Sequence, residues 1–320
     1  MDQKVLIMLA AYNGEKYIGK QIESIIAQDY TNWHLVIQDD GSKDNTANIV
    51  KEYCKKDSRI SYIVNETDKH GPFYNFHVMI GKFKEKQGYE YYMFSDQDDI
   101  WLSNKLSTMI SVLSNSKKPK LCYGDMQIID GNDKITDQSV DKIMSIHHTN
   151  KYRFFFVHKV YGCNLMMNKA LFEKVPAADI NNPNVAKLSH DNYYTKFAEI
   201  YGDVIYIDKP LMQYRRHSEN VTAGQQYNVD TKKIVKRIFS FGDLAKQHAN
   251  TYNQTLYTLS ILKRMGCKNK AIDEIEKTIR TGGIKGYRFI KKHHISWGTK
   301  ASNISRAATM ITGAYKKYLI

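Results

Sequence analysis

Proline is scarce in this chain, five among 320 residues, and no Pro/Ser/Gly-rich stretch divides it into linked modules. The four cysteines (Cys54, Cys122, Cys163 and Cys267) are far apart and form no CxxC pair. That spacing disfavours a disulfide framework or zinc site as the organising device and makes reduced thiols in a cytosolic setting the default. No apolar run approaches the ~20 residues a bilayer-spanning helix needs. The opening MDQKVLIMLAAYNG lacks a basic leader and breaks at Asn13-Gly14, so it reads as a buried strand and not a signal peptide. A GxGxxG after that strand and a GxxxxGK[ST] anywhere are also missing, which disfavours dinucleotide and P-loop chemistry. Acidic residues nearly vanish at the end. Residues 231–320 hold four (Asp243, Asp273, Glu274, Glu276) against 19 Lys+Arg, whereas residues 1–230 carry 29 acids and 28 bases. The net charge of +14 thus lies wholly in the last 90 residues. A near-neutral body and a basic tail facing an anionic partner follow: nucleic acid, a membrane surface or an acidic lipid carrier.

What is present suits a globular protein: 42% apolar and 25% charged residues, with 23 tyrosines that pack well and offer a hydroxyl to sugars or bases. Residues 4–10 form a near-continuous apolar run, as in a strand buried on both faces of a parallel sheet. Ile18, Ile22, Ile25 and Ile26 then recur at helical spacing. Residues 33–38 predict a second strand, Ser42 or Asp44 a helix cap, 60–64 a third strand, Pro72 a helix start and 90–95 a fourth strand. This alternation indicates an α/β fold whose ligands gather at the carboxyl ends of the strands. Further strands are expected at 121–130, 159–167 and 203–207, and a helix from Asp191. Beyond about 231 the stripes Ile234/Ile238/Phe239, Leu256/Leu259/Leu262 and Ile272/Ile275/Ile279 predict helices with basic faces.

Three strand ends are polar: Ala11-Tyr12-Asn13-Gly14, Asp39-Asp40-Gly41-Ser42 and Asp96-Gln97-Asp98-Asp99. The last concentrates three repelling carboxylates, which a hard divalent cation such as Mg²⁺ or Mn²⁺ relieves. The plain alternative is a solvated turn with Asp98 or Asp99 as a helix cap. Asp39-Asp40-Gly41-Ser42 also suits an ordinary turn, His190-Asp191 an N-cap, and Arg215-Arg216-His217 a turn with solvated arginines.

Taken in order, YNGEKYIGKQIESIIAQDY, NWHLVIQDDGSKDNT, MFSDQDDIWLSNKL, YGCNLMMNKALFEKVP, SHDNYYTKF and PLMQYRRHSENVT closely resemble family 2 glycosyltransferases of the GT-A fold, over about residues 3–224. YNGEKYI, SDQDDIW and YRRHSENVT most resemble bacterial rhamnosyltransferases of surface-polysaccharide assembly. The resemblance implies a GT-A domain at 1–228, a Rossmann-like mixed sheet flanked by helices; the charge and periodicity of the remainder predict a basic helical region at 229–320 for membrane association or dimerisation. It implies inverting, metal-dependent transfer from a nucleotide-diphosphate sugar, dTDP-L-rhamnose first and UDP-hexose or UDP-N-acetylhexosamine next. The acceptor would be a polyprenyl-linked glycan of capsule or O-antigen type.

By the same resemblance Ala11, Tyr12, Asn13, Glu15, Asp40, Asp96 and Arg215 are nucleotide-binding positions. Tyr12 offers a face to a pyrimidine and Asp40 an acceptor for the base N3–H. Asp98, Asp99 and His217 are the metal candidates, with Asp98 preferred and Asp99 its rival, for Mg²⁺ or Mn²⁺. Asp191 matches the general base, which takes the acceptor hydroxyl proton on the face opposite the leaving group. The expected setting is cytoplasmic, peripheral to the inner face of the cell membrane, on anionic lipid or as a homodimer. Two other classes compete. A binding module retaining nucleotide-sugar affinity without catalysis is disfavoured by the full set of carboxylates. A nucleic-acid binder is disfavoured by a tail without stacking platforms.

Overall fold

The computed structural model describes residues 3–114, 116–146, 148, 152–217 and 241–320. The expected boundary at 228/229 and the Ile234/Ile238/Phe239 stripe lie outside these residues. The chain divides into two compact units, Met1–Val140 with Val160–Asn220, and Asp141–Lys159 with Val221–Ile320.

The first unit is built on β1 (Val5–Ala11), which pairs in parallel with β2 (Trp33–Asp39) on one side and β4 (Tyr91–Ser95) on the other. A strand so enclosed has no solvated face, and Val5 to Leu9 are fully buried, which explains the unbroken apolar run. Between β1 and β2 lies α1 (Ile18–Ile26), whose Ile18, Ile22 and Ile25 turn inward. α2 (Thr46–Lys56) begins where Asp44 Oδ1 accepts the Thr46 N–H at 3.0 Å. β3 (Ile60–Val64) extends the parallel set beyond β2. α3 (Pro72–Phe83) follows Gly71, whose φ of 104° is open to glycine at little cost.

The other half of the sheet is mixed. β5 (Ile100–Trp101), α4 (Lys105–Leu113), β6 (Lys120–Ile129), β7 (Ile135–Asp137), the short α5 (Val140–Met144), β8 (Leu165–Asn168), α6 (Lys169–Lys174), α7 (His190–Tyr201) and β9 (Asp203–Arg215) follow in the chain. Nine strands form one sheet among the described residues, in the order β3-β2-β1-β4-β8-β6-β9-β5, with β7 on β6. Chain order reverses about β1, so a crevice opens at the carboxyl ends of β1, β2 and β4.

Two expectations need correction here. Residues 159–167 are not one strand: Gly162–Asn164 form a 3₁₀ turn and only Leu165–Asn168 pair in the sheet. The strand expected at 203–207 runs on to Arg215, through Pro210. Pro210 is tolerated because the register with β6 shifts between Gly124 and Asp125, a bulge where a missing N–H breaks no regular ladder.

The second unit is helical: α8 (Phe241–Arg264), α9 (Lys270–Thr281), α10 (Gly283–Lys292) and α11 (Lys300–Thr312). Leu256, Leu259, Leu262, Ile272, Ile275 and Ile279 are buried in it. The segment Asp141–Lys159 belongs to this unit by packing. Thr255 Oγ1 donates to Phe155 O at 2.8 Å and Trp297 Nε1 to Phe156 O at 3.2 Å. No helix among the described residues is long and apolar enough to cross a membrane.

Candidate active site

Four consecutive residues after β1 make up the first wall. Asn13, with φ 46°, donates its N–H to Ser42 Oγ at 2.9 Å, Gly14 donates to Thr46 Oγ1 at 2.7 Å, and Glu15 donates to Asp44 Oδ2 at 3.0 Å. In return Lys43 N–H donates to Asn13 Oδ1 and Asn45 N–H to Glu15 Oε2. Asn13 and Glu15 thereby act as staples between the loops after β1 and β2. Tyr12 projects its ring, half exposed at 51%. Ala11 is buried at the strand end, and its carbonyl accepts the Asp40 N–H at 2.9 Å.

Asp39 and Asp40, both buried, divide their tasks. Asp39 Oδ1 accepts the N–H and hydroxyl of Ser42, and its Oδ2 accepts the Tyr62 hydroxyl at 2.8 Å. Asp40 Oδ1 accepts from Asn65 at 2.6 Å and lies 3.0 Å from His70 Nδ1, and its Oδ2 accepts the Gly71 N–H at 2.6 Å. The Asp40 carboxylate therefore orders the turn between β3 and α3.

The acidic loop after β4 forms the floor. Asp99 is fully enclosed; its Oδ1 accepts the Arg215 N–H at 3.0 Å, and its Oδ2 has no hydrogen-bond partner among the described residues. Ligand atoms of Asp96, Asp99 and Cys163 lie within 4.8 Å of one another. Burial raises the Asp96 carboxyl above its usual range, with the Asp98 charge adding to it and the more distant Asp191 charge contributing. Burial likewise raises Asp99, with Asp98 and Asp96 next. Burial pushes the Cys163 thiol well up, so it stays protonated. Asp98 Oδ2 sits 2.8 Å from His217 Nε2.

Lys105 and Arg215 face this loop from within the fold, and Lys196 faces Asp191. Lys105, with no exposed surface, donates from Nζ to Cys163 O at 2.6 Å and lies 4.0 Å from the Trp101 ring centroid. Desolvation pushes it down to about 7, against the pull of Cys163, Asp99 and Asp96. Arg215 is enclosed too. Its guanidinium donates to Asp98 O at 2.6 Å and Asp130 O at 2.9 Å, pairs with Asp133, and covers the Tyr17 ring at 4.5 Å. The His217 ring lies 5.1 Å from Tyr17 as well. Lys196, buried in α7, is pushed down to about 7 by desolvation, with Asp191 opposing.

Asp191 opens α7. Its Oδ2 accepts the Gly162 N–H at 2.9 Å and its Oδ1 the Asn192 N–H at 2.6 Å. His190 is a packing residue, its ring 3.9 Å from Phe76 and 4.4 Å from Phe94.

The structure thus brings together Asp96, Asp98, Asp99, Arg215 and His217 at the end of β4, and Tyr12, Asn13, Glu15 and Asp40 along the adjoining strand ends. Asp191 approaches from α7. Cys163, Lys105, Tyr17, Asp133 and Gln97 were not foreseen. Each acts through a contact more than 50 residues away in the chain, or through packing; Tyr17, Gln97, Lys105 and Cys163 lay inside the quoted motifs, but none was singled out there as a site residue. The donor set suits a hard cation: carboxylate oxygens with one orphaned buried acceptor, Asp99 Oδ2, whereas the neutral Cys163 thiol is a poor ligand for Mg²⁺ or Mn²⁺.

Comparison with known proteins bears on the family and the fold. The model of glycosyl transferase family 2 matches residues 6–176. The dTDP-rhamnosyl transferase RfbG of Shigella flexneri is 33% identical over 236 residues, 72% of this chain and 78% of that protein. The UDP-Glc:alpha-D-GlcNAc-diphosphoundecaprenol beta-1,3-glucosyltransferase WfgD of Escherichia coli is 36% identical over 131 residues, 41% of this chain and about half (49%) of that one. Among solved structures, S. aureus TarS in complex with UDP-GlcNAc superposes with a TM-score of 0.53 at 16% identity, covering 99% of this chain and 93% of that one.

Proposed function

The chain belongs to glycosyl transferase family 2, and we propose that it moves a sugar from a nucleotide-diphosphate donor to a glycan hydroxyl with inversion at the anomeric carbon. Its fold is the GT-A arrangement. The observation that carries the reading is the meeting of three carboxylates, one with an orphaned buried oxygen, with Arg215 and His217 beside an exposed tyrosine.

In this reading the Tyr12 ring stacks on the pyrimidine. Asp40, which takes three donors here, keeps one of roughly four lone-pair sites for the base N3–H. Arg215 holds the acidic loop from behind and keeps a positive charge under the diphosphate. Asp98 or Asp99, with His217, would hold Mg²⁺ or Mn²⁺, which supplies charge neutralisation for the departing nucleoside diphosphate. Asp191, oriented by Gly162 and Asn192, accepts the proton of the attacking hydroxyl as the glycosidic bond forms. Lys105 and Lys196 lower the cost of gathering several carboxylates in a partly buried site.

dTDP-L-rhamnose is the first donor to test, supported by the 33% identity to RfbG, and UDP-glucose the second, supported by the shorter match to WfgD. The name of WfgD also supports a diphosphoundecaprenol-linked acceptor, and with it work at the inner face of the cell membrane. The test is release of nucleoside diphosphate across dTDP-rhamnose, UDP-glucose and UDP-N-acetylglucosamine, with and without Mn²⁺ or Mg²⁺, and the anomeric configuration of the product by NMR. Transfer with inversion is expected. Nucleotide binding without transfer to any acceptor would overturn catalysis in favour of a binding module.

A further inference from the structure

Gln97 stands between Asp96 and Asp98, and its side chain points away from both tasks of that loop. Its Oε1 accepts the Tyr12 N–H at 2.8 Å, and its Nε2 donates to the Tyr12 carbonyl at 2.9 Å. A side-chain amide thus pairs with both main-chain groups of one residue, as a neighbouring strand would. The three residues that follow Tyr12 are fastened from the opposite side, by Ser42, Thr46 and Asp44. Tyr12 alone of the four is fastened to the acidic loop. Gly14 makes room for this: a Cβ there would meet Gln97 Oε1 at 2.3 Å.

We propose that Gln97 is a positioning residue that clamps Tyr12 to the carboxylate loop and so sets the span between the base platform and the diphosphate site. The proposal rests on the nucleotide-sugar reading above. A nucleoside diphosphate bridges the two loops at a fixed length. A residue held at both its N–H and its carbonyl keeps the ring at that length before the ligand arrives, which saves ordering entropy on binding. Because Gln97 is partly exposed and the rest of the loop is fastened independently, its loss leaves the fold intact.

Gln97→Ala and Gly14→Ala break the clamp from its two sides, one by deletion and one by crowding the amide out. Each is expected to weaken UDP or dTDP binding, measured by calorimetry, roughly three- to tenfold and to raise donor KM alike. kcat should stay within about twofold of the unaltered enzyme. The double variant should bind no more weakly than either single one, since the clamp is lost once. A merely structural role would instead lower the melting temperature and kcat together and give additive losses, and that result overturns the proposal. Nucleotide binding by the unaltered chain that neither variant changes overturns the clamp alone. No nucleotide binding by the unaltered chain overturns the nucleotide reading and the clamp with it.

Discussion

Asp191 is held at both oxygens by backbone N–H groups, so its position is fixed before any substrate arrives. Asparagine keeps that shape and loses the basicity. Its amide nitrogen must face one of the two N–H groups, a cost of about 1 kcal/mol. Asp191→Asn is therefore expected to melt close to the parent and bind UDP or dTDP unchanged, with turnover lower by roughly 10²–10⁴-fold. Full turnover would remove Asp191 from the base role. A second titratable residue near this helix contributes to acid stability. His77 is fully buried and lies 2.9 Å from Leu188 O through Nε2, just ahead of α7, and desolvation lowers it to about 4, with Asp191 opposing. A depressed histidine contributes its stability above the unfolded value of 6.5 and loses it as pH falls toward 4, because only the unfolded chain then takes the proton. That loss amounts to roughly 3 kcal/mol from this residue. Melting temperature against pH should fall over that window, and His77→Gln should make the fall shallower, with the buried, likewise depressed His248 retaining the rest. An unchanged profile would show that other groups dominate. The residues legible in the sequence were those whose charge or motif position announces chemistry, such as Asp96, Asp98 and Asp191. Gln97, Lys105 and Cys163 were not, because their effect runs through main-chain contacts with segments distant in the chain.

At the scale of elements, the legible parts were those where periodicity and burial coincide. β1 through β4 and α1 through α3 lie where alternating apolar runs and caps put them, because each is enclosed by its immediate chain neighbours. The segment around Gly162 was read wrongly, since its apolar residues pack in a turn dictated by α7 and not by strand pairing. That turn has a functional consequence. A Cβ on Gly162 would stand 2.2 Å from His190 Nε2, and the His190 ring is locked between Phe76 and Phe94. Gly162→Ala must push α7 or the turn aside, at about 1–3 kcal/mol of overpacking. It also moves the N–H that orients Asp191. The expected outcome is a lower melting temperature with kcat reduced and nucleotide binding kept. A variant that melts lower with kcat intact would separate the turn from the chemistry. Asp141–Lys159 was equally illegible: its Phe154, Phe155 and Phe156 are buried with α8 and Trp297, a partnership spanning about a hundred residues that no local pattern records.

The whole molecule carries its charge unevenly, and the helical unit shows where it emerges. On α10, Ile284, Lys285, Arg288, Lys291 and Lys292 are exposed at spacings that place them along one side of the helix, while Gly286 and Ile290 are buried on the other. Ile284 is 62% exposed, and Ile304 on α11 73%. A basic stripe edged by an exposed isoleucine fits an anionic lipid surface, where each Lys or Arg contributes ~1 kcal/mol close to the headgroups. The interaction is screened within about 10 Å at 0.1 M salt, so it must weaken as salt rises. We expect the full chain to float with vesicles containing anionic lipid at low salt and to stay behind with neutral ones. The triple variant Lys285→Glu, Arg288→Glu, Lys292→Glu should bind them more weakly by at least 10²-fold, on the order of three lost contacts before added repulsion. Transfer to a short water-soluble acceptor should persist in that variant, since the altered residues are confined to α10. Equal recovery with neutral vesicles, or a variant that floats as well as the parent, would instead assign the stripe to solvent or to a second copy of the chain.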